Sequence, residues 1–565
     1  MERMSIYKTG EIHQRLEVSA IPLISATIER LGIRPILSKY ISEHANEKIS
    51  TVDSLILLLV NIVLGRQPLY ELEQWFEKFD ANCFGQHKSE KKLLNDDRFG
   101  RALDKLYAVD RASLMTEIVL NMIKVVGLDL SRLHNDSTTV KAYGKIPGKT
   151  KTDFQLKKGH SKEHRPDLKQ LLFCLSISAD GAVPIHYKSY SGNRTDDTTH
   201  IETWNTLRKI AGCVDFLYVA DCKVCTDKQL ASIVGNGGRV VTIIPDTWKE
   251  TKEFKNELCS GKKKQKKVIW RRKHVNHLNK WDSFSLFSGE YMAKSKYKIH
   301  WIYSTQKKKR DRLAREKLLI STENELSEIM SKMNTRNLKS REQIEAAVNE
   351  LLQKKAVVQF YHIQITEVRE ESKIQIGKGR PGEDTKYKTI VSYAYSLSWV
   401  RNKTALALER KTDGVFPLLS TDPSLSGKKT LTAYKYQPKI EKRFTQFRSV
   451  HLAGPLLFKK IERVESVMFL YFLGLMIQAV IEREVRQKMK KRKIKNLAIY
   501  PEYRLTATPT TARILENFEG VSIYKIRQGK HTVKTFRDNL SSVQKKILSL
   551  LNMKEVDYWK NCALS

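Results

Sequence analysis

The chain has 565 residues, 41% of them apolar, and 101 Lys and Arg against 62 Asp and Glu give a formal net charge of +39. That length implies several domains and that apolar fraction real cores, while a cationic excess spread in runs along the whole chain implies a polyanionic partner, nucleic acid first. The opening MERMSIYKTGEIHQRLE lacks the apolar stretch of a secretory leader, and the most apolar run, 467–481, is shorter than the ~20 residues of a bilayer span.

A membrane partner is therefore not expected. Seven scattered cysteines suit a reducing compartment. Cys222 and Cys225 form a lone CxxC with neither a second pair nor a nearby His doublet, so zinc is not expected.

Residues 20–80 read as helical. Ile21–Leu31, Val52–Leu64 and Tyr70–Phe79 are amphipathic or apolar and are punctuated by Gly32, Pro35, Gly65 and Pro68. Asn95–Leu106 adds a short helix. Such a module can grip DNA, or it can serve as a cap or dimerisation element. From about residue 126 the period shortens. Leu128–Asp136 alternates and ends on an acid. Leu171–Ser178 and Pro184–Tyr190 read as strands joined at Asp180-Gly181, a hairpin signal. Asp197–Ile210 is helical, Phe216–Asp221 is a short strand ending on an acid, Thr226–Ile233 is helical, and Arg239–Pro245 is a strand.

If the first and fourth of these strands are neighbours, Asp136 and Asp221 converge on one edge. Two carboxylates that close do not both ionise cheaply without a cation between them. Hard oxygen ligands, with no His or Cys, favour magnesium or manganese. A single acid at a strand end is more often a turn or cap residue; the pair, in a chain this basic, points to metal-dependent phosphoryl transfer.

Nearly two hundred residues then follow, too many for a loop. They hold the basic run 262–267, Trp270, Trp281 and Trp301 near strand-like segments such as Tyr297–Tyr303, charged helices over 310–355, and a hairpin from Gln359–Val368 and Lys388–Val400. Trp301 and its fellows are either stacking platforms for an unpaired base or core residues of a small β-domain. Arg380, in Gly379-Arg380-Pro381, is either a minor-groove hook or part of a solvated hairpin loop.

YKYQPKIEKRFTQFR, 434–448, has a single acid, Glu441, set among basic and aromatic residues. Ile440, Phe444 and Phe447 form an apolar stripe. A lone Glu on such a helix is ordinarily solvated or salt-bridged. Pro438 belongs to a first helical turn, so the helix is expected to begin there, with Gln437 just outside and Tyr434 in the preceding loop. Leu456–Lys491 reads as a long helix burying 467–481, with a basic tail at 488–495.

The stretches LNDDRFGRALDKLY, LHNDSTTVKAYG, GHSKEHRPDLKQLLFCLSISADGAVPIHYKSYSGNRTDDTT, FLYVAD, YKYQPKIEKRF and TPTTARILENFEGV, in this order, resemble a DDE transposase of a bacterial insertion sequence, in the insertion-sequence-four superfamily. The resemblance implies an α/β, RNase H-like mixed-sheet core, a helical N-terminal domain and a large α+β insertion before the Glu helix. It implies that Asp136, Asp221 and Glu441 bind two Mg2+ ions, with Mn2+ able to substitute, for cleavage at transposon ends and strand transfer. The family signature around the Glu is Tyr, Arg, Glu, Lys. Tyr434, Glu441 and Arg448 keep its spacing, but Gln437 stands at the Arg position. Tyr434, Gln437, Arg448, Lys442, Arg443, Arg380 and Trp301 are the candidate DNA contacts.

The expected domains are 1–125 (helical), 126–250 and 401–495 (the two parts of the core), 251–400 (insertion) and 496–565 (tail). The implied partners are double-stranded DNA, as terminal inverted repeats and target, and a second copy in a synaptic homodimer; the implied location is the bacterial cytoplasm. A nuclease that cuts without joining, and a catalytically silent DNA-binding regulator, are the alternatives.

Overall fold

The computed structural model describes every residue except 1–4, 7–10, 44–46, 85–92, 144–153, 160–166, 196–197, 262–264, 274–280, 336–337, 451–457, 459, 529–530 and 561–565. Gly144, the first part of the HRPDLKQ segment (164–166), Asp197, the start of the basic run (262–264) and the expected helix start at Leu456 lie outside the described residues.

The chain divides into two compact units, residues 1–242 with 432–565, and residues 243–431. The first opens with strands β1 (Ser5–Ile6) and β2 (Glu11–Glu17). Helices α1 (Ile21–Arg30), α2 (Ile33–Tyr40), α3 (Thr51–Leu64), α4 (Leu72–Glu77), α5 (Asp96–Ala108) and α6 (Arg111–Val126) follow. Next come β3 (Arg132–Ala142), β4 (Lys169–Ser178), β5 (Pro184–Ser191), α7 (His200–Ala211), β6 (Leu217–Val219), α8 (Asp227–Gly235) and β7 (Arg239–Ile243). This is the strand and helix order expected from the alternation and the turn signals.

The strands lie in the order β5-β4-β3-β6-β7. β5, β4 and β3 are antiparallel neighbours, and β3, β6 and β7 are parallel. The turn between β4 and β5 places Gly181 and Ala182 at φ 84° and 55°, the left-handed region that a tight hairpin requires.

Helix α15 (Ile461–Lys491) explains why the N-terminal helices are not a separate module. It has 31 residues and is long and apolar enough to cross a bilayer, yet 89% of its most apolar window is buried. A helix apolar all round must be covered all round. Here β5 packs against it, and so do α3 and α5. Ion pairs fasten the contact: Arg463 makes two 2.8 Å bonds to Asp104, and Arg111 reaches Glu465 at 2.7 Å.

The two ends of the chain also meet. β15 (Ser522–Gln528) and β16 (His531–Arg537) complete a four-stranded sheet, β1-β2-β15-β16. Residues 1–125 and 496–565, expected as independent pieces, therefore belong to one unit with the central sheet. Short helices α16 (Thr511–Glu516), α17 (Ser542–Leu550) and α18 (Glu555–Trp559) close the C-terminus.

The second unit holds an antiparallel sheet of β8 (Lys266–Lys273), β9 (Trp281–Phe287), β10 (Tyr291–Met292), β11 (Lys298–Ser304) and β14 (Val415–Ser420), with α9 (Lys249–Cys259) packed on it. Helices α10 (Thr305–Lys332) and α11 (Arg341–Lys354) bury Leu326, Ile344 and Val348 against the base of a two-stranded ribbon, β12 (Tyr361–Gln375) and β13 (Tyr387–Arg401), which α12 (Lys403–Glu409) follows. The unit runs to residue 431, past the expected boundary at 400, because β14 pairs with β11.

Candidate active site

Strand pairing brings the two aspartates together. β3 and β6 run parallel with Arg132 opposite Leu217 and His134 opposite Val219. Asp136 and Asp221 each follow two residues after the last of these pairs, so both acids leave the same end of the parallel strands. Asp136 is not the last residue of its strand, as expected. The β-branched run after it continues β3 along β4 to Ala142, and Asp136 sits where β3 outruns β6. Asp221 ends the β6 segment and caps the short 3-10 turn Cys222–Val224, its Oδ1 accepting from the Lys223 N–H at 3.0 Å. The Thr242 hydroxyl donates to the Asp221 carbonyl at 2.6 Å and holds this backbone in place.

The third acid arrives on α14 (Pro438–Thr445), preceded by α13 (Gly427–Tyr434). α14 begins at Pro438, as the sequence implies, but Tyr434 is the last residue of α13 rather than part of a loop. Ile440, Phe444 and Phe447 form the buried stripe, and Phe447 stacks on Phe173 of β4 with centroids 4.5 Å apart. The helix continues as a π-turn over Gln446–Val450, which carries Arg448.

Gln437 and Arg443 are corrections to the expected DNA contacts. Gln437 is 6% exposed. Its Nε2 donates to the Asn135 carbonyl at 2.9 Å, which turns Oε1 toward His134 Nδ1, also at 2.9 Å. His134 must therefore carry its proton on Nδ1, and burial lowers its pKa to about 4, so it is neutral. A neutral carboxamide meets both needs at once, with an acceptor for the ring N–H and a donor for the carbonyl. Arg443 is likewise buried, and donates to the carbonyls of Ala182 and Gly181 at 2.9 and 3.0 Å. Both residues pin α14 to the sheet, Gln437 to β3 beside Asp136 and Arg443 to the β4–β5 turn.

Tyr434 reports on the result. Burial raises its pKa, and the negative charges of Asp221, Cys222, Asp136 and Glu441 each add to the shift, so Tyr434 feels the field of all three acids. Glu441 lies in the exposed first turn of α14, where the helix dipole favours a negative charge. Lys439, half-buried beside Lys442 and Arg486, has a lowered pKa from burial and from those cations.

Three carboxylates, on β3, just after β6 and on α14, are a hard-oxygen donor set suited to Mg2+ or Mn2+. Among the described residues, however, no three His, Cys, Asp or Glu side chains are gathered tightly enough to hold a metal. Asp136 and Asp221 each turn an oxygen to a nearby backbone N–H, of Ser137 at 2.8 Å and of Lys223 at 3.0 Å.

Lys442 is exposed on α14, and Arg448 is partly buried on the π-turn. Arg380 is exposed in the loop that closes the β12–β13 ribbon. Trp301 is 1% exposed and stacks on Phe254 at 3.9 Å, so it is a core residue with no free face for a base. Trp281, by contrast, is 57% exposed. The residues that sequence reasoning missed are His134, Asn135 and His200. The last is buried, with Nε2 3.9 Å from Asp221 and Nδ1 2.9 Å from the Tyr218 hydroxyl. The signal was polar residues at buried positions of apolar segments, His134-Asn135 on β3 above all.

A family model described as "Domain of unknown function (DUF4277)" matches residues 13–120. No curated protein matches the chain. The solved structure titled "Cryo-EM structure of piggyBac transposase synaptic complex with hairpin DNA" aligns over 87% of this chain and 79% of that chain, at 8% identity and a TM-score of 0.36. A likeness of that degree specifies neither fold nor chemistry.

Proposed function

We propose that the chain is a DNA transposase of an insertion sequence, with the β3–β7 sheet as an RNase H-like core and Asp136, Asp221 and Glu441 as its catalytic acids. What supports this reading is the parallel register of β3 and β6, which carries Asp136 and Asp221 to the same end of neighbouring strands, with the Glu441 helix tied through Gln437 to the first of them. The net charge of +39 supports a nucleic-acid substrate, and the order of motifs along the chain supports the family.

Asp136, Asp221 and Glu441 would hold two Mg2+ ions, or Mn2+. When bound, these supply Lewis-acid activation of the attacking oxygen and charge neutralisation at the leaving oxygen. The chain's own groups bind and orient the DNA. Arg448 and Lys442, on and just beyond α14, grip backbone phosphates. Tyr434, its phenol held in the protonated form, donates to a phosphate oxygen beside the acids. Gln437 fixes the position of the Glu441 helix against β3.

The test is a strand-transfer assay with pre-cut element ends and target DNA in Mg2+. Joined product from the natural chain, and none from Asp136→Ala, Asp221→Ala or Glu441→Ala at unchanged DNA affinity, is the expected result. Cleavage without joining would replace the transposase by a nuclease on the same core. Activity that survives all three substitutions would remove the acids from the mechanism.

A further inference from the structure

The β12–β13 ribbon leaves its unit. Its base is covered, with Tyr361 and Leu397 buried, but from residue 366 to 393 almost every described side chain is exposed on both faces. The exposed side chains include large apolar ones: Val368 is 49% exposed, Ile374 52%, Ile376 60% and Tyr393 54%. A bare two-stranded ribbon is marginally stable in water and offers a free backbone edge along each strand. A free edge of this length is a template for pairing with another strand.

Charge identifies the partner. Between residues 366 and 393 there are six cations and five acids, in a chain whose net charge is +39. That near-neutral segment is a poor match for phosphates. On β12, Glu367, Arg369, Glu371 and Lys373 share one face, since successive side chains alternate. Their signs run minus, plus, minus, plus. Arg369 and Glu371 already pair within the strand at 2.9 Å.

A row of alternating signs complements itself when reversed. An antiparallel pairing of β12 with β12 of a second copy, about a two-fold axis at residue 370, sets Arg369 against Glu371 and Glu367 against Lys373 of the other copy, four opposite-charge pairs against the single like-charge meeting of Glu370 with its own copy at the axis. The symmetry makes each pair twice. The register one step earlier sets Arg369 against itself and Glu367 against Glu371, and the register one step later sets Arg369 against Lys373. The two copies' ribbons then form a four-stranded sheet whose outer face carries the aliphatics in one continuous patch.

We propose that the β12 edge of the ribbon is a self-association surface, pairing antiparallel with the same edge of a second copy of this chain. The proposal is independent of the chemistry proposed above, because its readout is mass rather than DNA cleavage.

The experiment uses the full chain and two double variants at exposed positions. Glu367→Lys with Glu371→Lys makes the edge wholly basic, and Arg369→Glu with Lys373→Glu makes it wholly acidic. By sedimentation equilibrium at low salt, the natural chain should be dimeric, each variant alone monomeric, and their equimolar mixture a dimer of one copy of each. Raising salt should weaken all association, since the pairs are exposed. A third chain, with residues 368–394 replaced by an Asn-Gly turn, should be monomeric with an unchanged melting temperature. A monomeric natural chain, charge variants that dimerise alone as the natural chain does, a mixture that stays monomeric, or a shortened ribbon that still dimerises would each overturn the proposal.

Discussion

Lys442 and Arg443 are adjacent cations on α14, and sequence alone treats them alike. The structure separates them. Arg443 is buried on the carbonyls of Gly181 and Ala182, whereas Lys442 points into solvent. Arg443→Ala removes its bonds to the Gly181 and Ala182 carbonyls and to Gln446, and its ion pair with buried Glu482, and should cost about 3–5 kcal/mol of stability, read as a lowered urea midpoint. Lys442→Ala should leave that midpoint within about 0.5 kcal/mol and reduce the slope of log affinity against log salt by about 0.9, as the loss of one phosphate contact does. If the two substitutions behave alike in both assays, the assignment of either is wrong. Gln437 extends the argument. Gln437→Leu leaves the Asn135 carbonyl and His134 Nδ1 without their partner, a cost of about 2–6 kcal/mol, and loosens the Glu441 helix from the strand that carries Asp136. DNA cleavage should slow more than tenfold while affinity for end DNA changes less than twofold, and Gln437→Glu, which keeps the acceptor for His134, should lie between. Affinity falling in step with rate would return Gln437 to the DNA interface. The start of the Glu441 helix at Pro438 and its buried stripe were legible in the sequence, from the proline and the spacing of Ile440 and Phe444. The role of Gln437 was not, because its partner lies 303 residues away.

At the level of elements, what could be read from local pattern was read. Alternation, turn residues and short buried runs yield β3 to β7 in order, and the apolar run on α15 yields its burial. What depends on distant pairing was hidden. β2, with its polar EIHQRLE, announces no partner, and it finds one in β15 more than five hundred residues on. The joint is reinforced by a buried ion pair, Lys525 on β15 with Asp80 at 3.3 Å, both side chains almost fully inaccessible. Removing one partner strands the other charge, so Lys525→Met should destabilise the first unit by about 3–5 kcal/mol. Adding Asp80→Leu to it should recover much of that loss, because two apolar groups bury without a charge to satisfy. Urea unfolding of the single and double variants measures the difference. A double variant no better than the single would mean that the pair holds the sheet by geometry rather than by mutual neutralisation.

Over the whole molecule, two facts act in the same direction when the solution is acidified. The chain already carries +39, and protonating carboxylates adds to its self-repulsion. Buried histidines are also kept neutral in both units: burial lowers the pKa of His134 and His186 in the first unit and of His300 in the second to about 4. Unfolded, each returns to about 6.5. The unfolded chain thus takes up protons first, so stability is level above about pH 6.5 and falls as pH drops toward 4. For His186, fully enclosed beside β5, the loss across that interval is about 3 kcal/mol. Salt separates the two causes. It screens the self-repulsion of surface charge, but not the cost of charging a ring inside the protein. Urea midpoints at pH 7.5, 5.5 and 4.5 should therefore decline in low salt and decline still, by a smaller margin, in high salt. His186→Gln should lessen the part that high salt leaves by the share of that one ring, because an amide has nothing to titrate, while His134 and His300 keep the remainder. If high salt alone removes the decline, surface charge is the whole of the acid sensitivity and the buried histidines contribute none of it.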